Sequence, residues 1–285
     1  MKQGEQMPHS QHRTDTAFRS DLLKDQVVVI SGGGGGLGRV LALQMAKLGA
    51  RIAICGRRLE PLQETEQLIV EAGGGPVLVK ALSIRDPDAV QDFTKDVYAR
   101  FDRMDILVNN AGGQFPQAAI DFSVKGWNAV IDTNLNGTWY MMQAAARQWR
   151  DQNQPGSIVN IVAVVWRGLP GIAHSCAARA GVIYLSKTLA IEWAPLGIRV
   201  NCVAAGAIAT AGLETYSEEA RESLPRSNLM QRFGEPLDVA DAVIYLASTS
   251  ASFVTGEALV VDGGNQIWGD QWTIPRPAYF DGLPA

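Results

Sequence analysis

Cysteine is scarce in this chain of 285 residues, where it occurs at positions Cys55, Cys176 and Cys202 alone. These positions have neither CxxC nor metal-ligand spacing, so we expect free thiols in a reducing compartment and no metal site. Long apolar runs are also missing, because no stretch approaches the roughly 20 residues of a membrane-spanning helix. Residues 1–21 lack the apolar centre of a secretory signal. We therefore expect a cytoplasmic protein with no membrane partner.

A concentration of charge of one sign is absent as well. The 25 Lys and Arg residues and 29 Asp and Glu residues give a net charge of −4, and the basic residues form no stripe. This argues against nucleic acid or an anionic membrane as the main partner. Hydrophobic residues make up 47% of the chain, which suffices for one α/β domain without a second one.

Short β-branched segments alternate with longer amphipathic segments along the chain. This alternation is typical of a parallel sheet with crossover helices. The strand segments are apolar almost throughout, so helices must cover both faces of the sheet. The sequence therefore predicts a single Rossmann-type, doubly wound parallel α/β domain over residues 22–264. The seven predicted strands are 27–30, 51–55, 77–80, 105–108, 157–161, 199–203 and 258–262, and a helix is predicted over 39–48.

Two terminal segments flank the predicted domain. The polar arm 1–21 is predicted to be disordered or loosely packed. The tail 265–285 is too apolar for an indifferent coil, and it either packs on its own subunit or reaches a neighbouring one. Its apolar residues include Trp268, Trp272, Pro275 and Pro277.

A glycine-rich segment, Ser31–Gly38, lies between the first predicted strand and the first predicted helix. Glycines at this place permit a tight turn and a close approach of the backbone to a pyrophosphate. The helix N-terminus adds free N–H groups and a favourable dipole. A glycine run alone could be a linker, but this context predicts a dinucleotide site.

The end of the second predicted strand indicates which dinucleotide is bound. Enzymes that use NAD place a carboxylate there to hold the ribose hydroxyls. This chain has Arg57 and Arg58 instead, and a guanidinium suits a 2′-phosphate. Arg57 is predicted to bind the phosphate of NADP(H), the alternative being a solvated surface arginine, as is possible for Arg58.

Several motifs resemble those of the short-chain dehydrogenase/reductase family, over roughly Leu23 to Gly264. The glycine segment resembles the family's TGxxxGxG loop, and Asn134 matches its active-site asparagine. The other matching motifs are NNAG at 109–112, IRVN at 198–201 and VDGG at 261–264.

The resemblance implies a nicotinamide cofactor and, as is usual in the family, a homotetramer joined through the helices after the fourth and fifth strands. It implies that Ile208 and Thr210 hold the nicotinamide amide, although Ala205 replaces the usual proline of that loop. The further residues predicted to bind the cofactor are Ser31, Gly32, Gly36, Leu37, Gly38, Asn110, Ala111, Gly112 and Arg179.

The family's Ser–Tyr–Lys catalytic set is replaced at every position. When the segment is aligned on Ala180-Gly181, Ser175 stands at the tyrosine position and Arg179 at the lysine position. Val162 and Ala163 stand where the orienting serine is expected. A serine hydroxyl is a poor acid at neutral pH, and arginine does not exchange a proton, although it can still bind ribose hydroxyls.

These changes favour one kind of reduction over another. Reduction of a ketone makes an alkoxide that needs a proton at once. Reduction of a double bond conjugated to a thioester makes an enolate, which hydrogen-bond donors can hold while water protonates carbon. The altered set therefore predicts reduction of a conjugated C=C bond.

A closer resemblance agrees with this prediction. Residues 174–182 (HSCAARAGV), 109–115 (NNAGGQF) and 125–127 (KGW) resemble peroxisomal trans-2-enoyl-CoA reductases and bacterial proteins named citronellol/citronellal dehydrogenase, near the dienoyl-CoA reductases. Tyr184 lies one place beyond the tyrosine of the enoyl-CoA reductases, so we do not assign it that tyrosine's role. The predicted substrate is a small molecule, an acyl-CoA thioester, reduced by NADPH.

Individual side chains carry the predicted chemistry, and each of them except Arg179 has an alternative role. Asn134 contacts the substrate carbonyl or caps a helix bend. Ser175 donates to the thioester oxygen or fills the space left by the tyrosine. Arg179 anchors the nicotinamide ribose. His174 is a proton relay or structural, and Arg167 meets a CoA phosphate or is an ordinary solvated charge.

Two other functions remain open at this stage. The first is a dehydrogenase of acyclic terpenoid alcohols or aldehydes, which needs an acid/base that only His174 or Tyr184 could supply. The second is a degenerate protein that binds NADP without catalysis, because its glycine loop is intact and its catalytic set is erased.

Overall fold

The computed structural model describes residues 13–267. Seven parallel strands form one sheet in the order β3-β2-β1-β4-β5-β6-β7. The strands are β1 (Val27–Ser31), β2 (Arg51–Gly56), β3 (Leu78–Ala81), β4 (Ile106–Asn109), β5 (Gly156–Ala163), β6 (Ile198–Ala205) and β7 (Ala258–Val261). The predicted fold is confirmed, and each predicted strand overlaps an observed one.

Helices connect the strands and cover both faces of the sheet. They are α1 (Gly36–Lys47), α2 (Leu59–Glu71), α3 (Pro87–Phe101), α4 (Val124–Ile131), α5 (Thr138–Asp151), α6 (Ala173–Glu192), α7 (Glu218–Ser223) and α8 (Pro236–Ala247). A π-helical turn, Asp132–Gly137, joins α4 to α5. The predicted helix 39–48 corresponds to α1, which begins at Gly36, inside the glycine segment.

Alternate residues of β1 face two separate cores on the two sides of the sheet, as period-two geometry requires. Val28 and Ile30 of β1 pack under α1, α2 and α8. Val27 and Val29 pack under α3, α5 and α6. The sheet is thus buried on both faces, which explains why its strands read as continuous apolar runs.

The strand order reverses direction beside β1, because β2 lies on one side of it and β4 on the other. The carboxyl ends of β1 and β4 meet there, with Ser31 opposite Asn109. A ligand of an open parallel sheet binds in the crevice beyond such a switch point. The fold therefore places the glycine segment and the NNAG motif at the edge of one crevice.

The described part of the N-terminal arm contacts the domain. Arg13 of the N-terminal arm pairs with Asp241 of α8 at 2.8 Å, and Gln44 of α1 donates to the carbonyl of Thr14 at 3.0 Å. The predictions for residues 1–12 and 268–285 concern segments outside the described part of the chain. Among residues 13–267, no helix combines the length and apolar character that crossing a membrane requires. The three thiols are free.

Candidate active site

The loops after β1 and β4 are joined by hydrogen bonds between predicted cofactor residues. The hydroxyl of Ser31 accepts the N–H groups of Asn110 and Ala111, each at 3.1 Å. Nδ2 of Asn110 donates to the carbonyls of Ser31 and Gly32, at 3.1 and 3.2 Å. Ser31 and Asn110 therefore fix the loops to one another, so that the loop backbone is presented to the crevice.

The first turn of α1 packs directly on the glycine segment. A Cβ at Gly38 would lie 2.1 Å from the carbonyl oxygen of Gly32, and Gly32 itself has a positive φ of 72°. Leu37 is half-buried and packs against the core under α1. Gly36 faces Thr210 of the loop after β6. A methyl group added at Gly36 would lie 3.8 Å from Cβ of Thr210. The helix N-terminus is thereby aimed into the crevice, as pyrophosphate binding requires.

A first cavity of about 510 Å³ extends from the glycine segment past the end of β2. Arg57, Arg58 and Arg85 line it, and no Asp or Glu is found among the described residues of its wall. Arg85 lies 3.6 Å from Asp132, whereas Arg57 and Arg58 have no ion-pair partner within residues 13–267. The end of the cavity beside β2 thus offers two unpaired guanidinium groups to an anion.

A second cavity of about 510 Å³ lies beyond the carboxyl ends of β5 and β6. Ile208 and Thr210 line it, together with Arg179. Its apolar wall is formed by Val164, Leu169, Pro170, Ile172, Leu213 and Leu224. Gly112, Gly113 and Gln114 line both cavities, which therefore meet at the loop after β4. The crevice thus has an end lined by glycine and arginine at the first cavity and an apolar end at the second.

The residue at the family's lysine position, Arg179, lies on α6 against the loop after β4. Its Nη1 donates to the carbonyl of Ile161 in β5. A Cβ at Gly112 would lie 2.3 Å from its Nη2, so a side chain there would displace the guanidinium. Burial lowers the pKa of Arg179 to about 10, and the group keeps its positive charge at neutral pH. Arg179 has no carboxylate partner among residues 13–267, and it lines the second cavity as a cation.

The residue at the family's tyrosine position, Ser175, is fully buried near the start of α6. Its hydroxyl donates to Oε1 of Gln114 at 2.6 Å. Nε2 of Gln114 in turn donates to the hydroxyl of Tyr216 at 2.5 Å. Ser175 itself lines neither cavity, whereas its partner Gln114 lines both.

Asn134 lies in the π-helical turn and is fully buried. Its Oδ1 accepts the N–H of Gly113 at 3.0 Å, and its Nδ2 donates to the carbonyl of Gly113 at 2.9 Å. Asn134 lines neither cavity. In this structure the amide is engaged in holding the loop after β4, and its contact with a substrate carbonyl stays a prediction.

The remaining candidates take different positions. His174 is buried against the rings of Phe115 and Phe122, at centroid distances of 4.6 and 4.4 Å. This burial lowers the pKa of His174, as expected for a structural imidazole. Tyr184 is 73% exposed and lines neither cavity. Arg167 is exposed and donates at 3.3 Å to the carbonyl of Asn265, a residue of the second cavity's wall.

Comparison with known proteins gives the family. The family model described as enoyl-(acyl carrier protein) reductase matches residues 33–266. A short-chain dehydrogenase from Bacillus anthracis has a solved structure with a TM-score of 0.81 at 38% identity, covering 88% of this chain and 99% of that one. This chain belongs to the short-chain dehydrogenase/reductase family.

Two other relatives within the short-chain dehydrogenase/reductase family have more specific names. A Bacillus subtilis protein named "Probable 2,4-dienoyl-CoA reductase [(2E)-enoyl-CoA-producing]" is 38% identical over 260 residues, which are 90% of this chain and 100% of that protein. A citronellol catabolism dehydrogenase from Pseudomonas aeruginosa has a structure with a TM-score of 0.79 at 38% identity, covering 88% of this chain and 99% of that one. The predicted resemblance is confirmed, because one relative is named a dienoyl-CoA reductase and the other a citronellol catabolism dehydrogenase. The chain is an oxidoreductase of a family that uses nicotinamide cofactors.

Sequence reasoning missed two residues of this short-chain dehydrogenase/reductase site. Gln114 lies within the NNAGGQF motif, directly after Gly112 and Gly113. That position in the motif was a usable signal. Tyr216 follows a 3₁₀ turn, Ala211–Thr215, in a segment without strand or helix periodicity. No signal in the sequence connects it to Gln114, which lies 102 positions away.

Proposed function

We propose that this chain is an NADPH-dependent reductase of a C=C bond conjugated to an acyl carbonyl, with a 2-enoyl-CoA-like thioester as substrate. The observation that carries the proposal is the Ser175–Gln114 hydrogen bond at the position of the family's tyrosine. This pair offers hydrogen-bond donors and no proton-exchanging group with a pKa near neutrality. Such a site is suited to holding an enolate and unsuited to protonating an alkoxide.

The chain's residues divide the work of this reaction. When bound, the dinucleotide supplies a hydride to the β-carbon of the substrate. The amide N–H of Gln114 that is not donated to Tyr216 holds the enolate oxygen, and the hydroxyl of Ser175 orients that amide. Arg179 holds the nicotinamide ribose hydroxyls. Asn134 keeps the loop in place through Gly113, and water protonates the α-carbon.

Preference for NADPH over NADH is supported by the first cavity. Its wall carries Arg57 and Arg58 at the end of β2, where a carboxylate would be needed to hold the ribose hydroxyls of NAD. Guanidinium groups without ion-pair partners are suited to a phosphate dianion. We assign the 2′-phosphate to Arg57.

The acyl part of the substrate is supported by the second cavity and by the relatives' names. Ten of its wall residues have apolar side chains, the six named above together with Ile208 and three alanines, and these suit a hydrocarbon chain. The Bacillus subtilis relative is named for an acyl-CoA substrate. The citronellol catabolism dehydrogenase supports the rival function, an alcohol dehydrogenase for acyclic terpenoids, because a terpenoid chain suits the same apolar wall.

A homotetramer located in the cytoplasm is part of the proposal. Tyr184 and Ile191 of α6 are 73% and 79% exposed, and such a face is suited to a partner subunit. Trp149 of α5 is fully buried in its own domain and is not available to an interface. Light scattering of the purified protein gives the molecular mass in solution.

The function is tested by incubating the purified protein with NADPH and a trans-2-enoyl-CoA, and separately with a trans,trans-2,4-dienoyl-CoA. We expect NADPH oxidation and an acyl-CoA product heavier by two hydrogens. Oxidation of citronellol with NADP⁺, with no turnover of either thioester, would establish the rival. NADPH binding without turnover of any of these compounds would indicate a protein that binds the cofactor without catalysis.

A further inference from the structure

Tyr216 stands in the second cavity, at the end of a chain of hydrogen bonds that begins at the family's tyrosine position. We propose that its hydroxyl donates the hydrogen bond that holds the reacting oxygen of the substrate. It thus supplies, from the loop after β6, the phenol that α6 lacks at Ser175. The proposal rests on the proposed function insofar as the substrate carries a conjugated carbonyl.

The backbone on both sides of Tyr216 is anchored. Its N–H donates to the carbonyl of Leu213 at 3.0 Å, which closes the preceding 3₁₀ turn. The next residue, Ser217, caps α7 by accepting the N–H of Ala220 at 3.2 Å. The side chain is half-buried and lines the second cavity beside Leu213 and Thr215. The ring is therefore held at the wall by its own segment as well as by Gln114.

The direction of the hydrogen bonds leaves the phenol proton free. Ser175 donates to Oε1 of Gln114, which turns Nε2 of the same amide toward Tyr216. The Tyr216 oxygen accepts from Nε2, and its own proton has no acceptor among residues 13–267. A hydroxyl that accepts a hydrogen bond becomes a stronger donor itself. The end of the chain is thus a polarised O–H group at the wall of an apolar cavity.

This donor has a defined part in the reaction. Hydride addition at the β-carbon moves the C=C electron pair toward the carbonyl, so that an enolate oxygen carries the negative charge. The Tyr216 O–H hydrogen-bonds that oxygen and keeps its proton, while the α-carbon takes its proton from water. A donor aimed at developing charge in a site of low polarity stabilises the transition state more than the ground state. Gln114 and Tyr216 then act on the same oxygen.

The test compares Tyr216→Phe with a matched control, Tyr184→Phe, which removes the exposed hydroxyl on α6. The first readout is the absorbance of trans-cinnamoyl-CoA bound to the protein with NADP⁺, because its band moves to longer wavelength when the carbonyl accepts a hydrogen bond. We expect the full red shift in the wild type and in Tyr184→Phe, and a clearly smaller one in Tyr216→Phe, where Gln114 alone donates. No shift in the wild type, or equal shifts in all three proteins, overturns the assignment.

The second readout is turnover of a trans-2-enoyl-CoA. We expect kcat of Tyr216→Phe to fall about 100- to 1,000-fold, as for removal of one oxyanion donor, with KM within about threefold of the wild type. A kcat within about threefold of the wild type overturns the assignment. A smaller red shift in Tyr216→Phe than in the wild type, in a protein that reduces no enoyl-CoA, supports the role of Tyr216 and contradicts the proposed function. Enoyl-CoA reduction that survives in Tyr216→Phe supports the proposed function and contradicts the role of Tyr216.

Discussion

Asn134 and Gly113 exchange two hydrogen bonds, one in each direction, at 3.0 and 2.9 Å. The asparagine side chain thereby satisfies both backbone groups of a loop residue that lines both cavities. Gln114 follows directly in the chain. The position of the proposed substrate-binding amide is therefore set by a residue of the π-helical turn that itself touches neither cavity.

Asn134→Ala removes both hydrogen bonds between the buried side chain and the exposed backbone of Gly113. We expect the free energy of unfolding to fall by about 1–3 kcal/mol, as for the loss of two hydrogen bonds, and kcat to fall as Gln114 moves. Urea denaturation and steady-state kinetics measure the two effects. The control is Asn136→Ala in the same turn, where the half-buried side chain bonds Asp132 at 3.0 Å, and a change within about 0.5 kcal/mol is expected. Equal stabilities of the two variants would contradict the assigned role of Asn134.

Arg57→Ala removes the proposed partner of the 2′-phosphate. Loss of a charge-assisted hydrogen bond costs about 1.5–3 kcal/mol, so we expect the Kd of NADPH to rise about 10- to 100-fold. The Kd of NADH should change by no more than about threefold. Calorimetric titration measures both, and Arg150→Ala at the exposed end of α5 is the control. Equal weakening for the two cofactors would show that Arg57 does not read the phosphate.

Gly38 and Gly35 form a matched pair for the packing of α1. An added methyl group at Gly38 would lie 2.1 Å from the carbonyl oxygen of Gly32 and 2.6 Å from Nδ2 of Asn110. At Gly35 it would meet nothing within 4 Å. Overpacking of this kind costs about 1–3 kcal/mol, so Gly38→Ala should lower the free energy of unfolding by that amount. Gly35→Ala should change it by less than about 0.5 kcal/mol, and the same urea denaturation compares the two.

The lowered pKa of His174 makes the stability of the protein depend on pH. The unfolded chain binds the imidazole proton near pH 6.5, and the folded chain binds it at a lower pH. The contribution of the neutral His174 side chain to the free energy of unfolding is therefore fully present above pH 6.5. It is lost as pH falls toward the folded-state pKa. We expect the difference in unfolding free energy between the wild type and His174→Phe to shrink in that range. A difference that is independent of pH would contradict a buried neutral imidazole.

The fold was predictable because its signals are local. The apolar runs of β1 and β4 and the glycine segment between β1 and α1 each lie within a few consecutive residues. The site was predictable only in part. The family match gave the position of Asn134 but not its partner, Gly113, and the Ser175–Gln114–Tyr216 chain joins residues 61 and 102 positions apart. Contacts of that kind depend on how the loops after β4 and β6 pack, which no spacing along the chain encodes.

The most direct test of conjugate reduction follows the hydride itself. The protein is incubated with a trans-2-enoyl-CoA and NADPH that carries deuterium at both hydrogens of nicotinamide C4, and the product is analysed by mass spectrometry and NMR. Our account predicts a saturated acyl-CoA with a single deuterium on the β-carbon and a solvent proton on the α-carbon. Deuterium on the former carbonyl carbon of an aldehyde or alcohol, with the double bond intact, would contradict it.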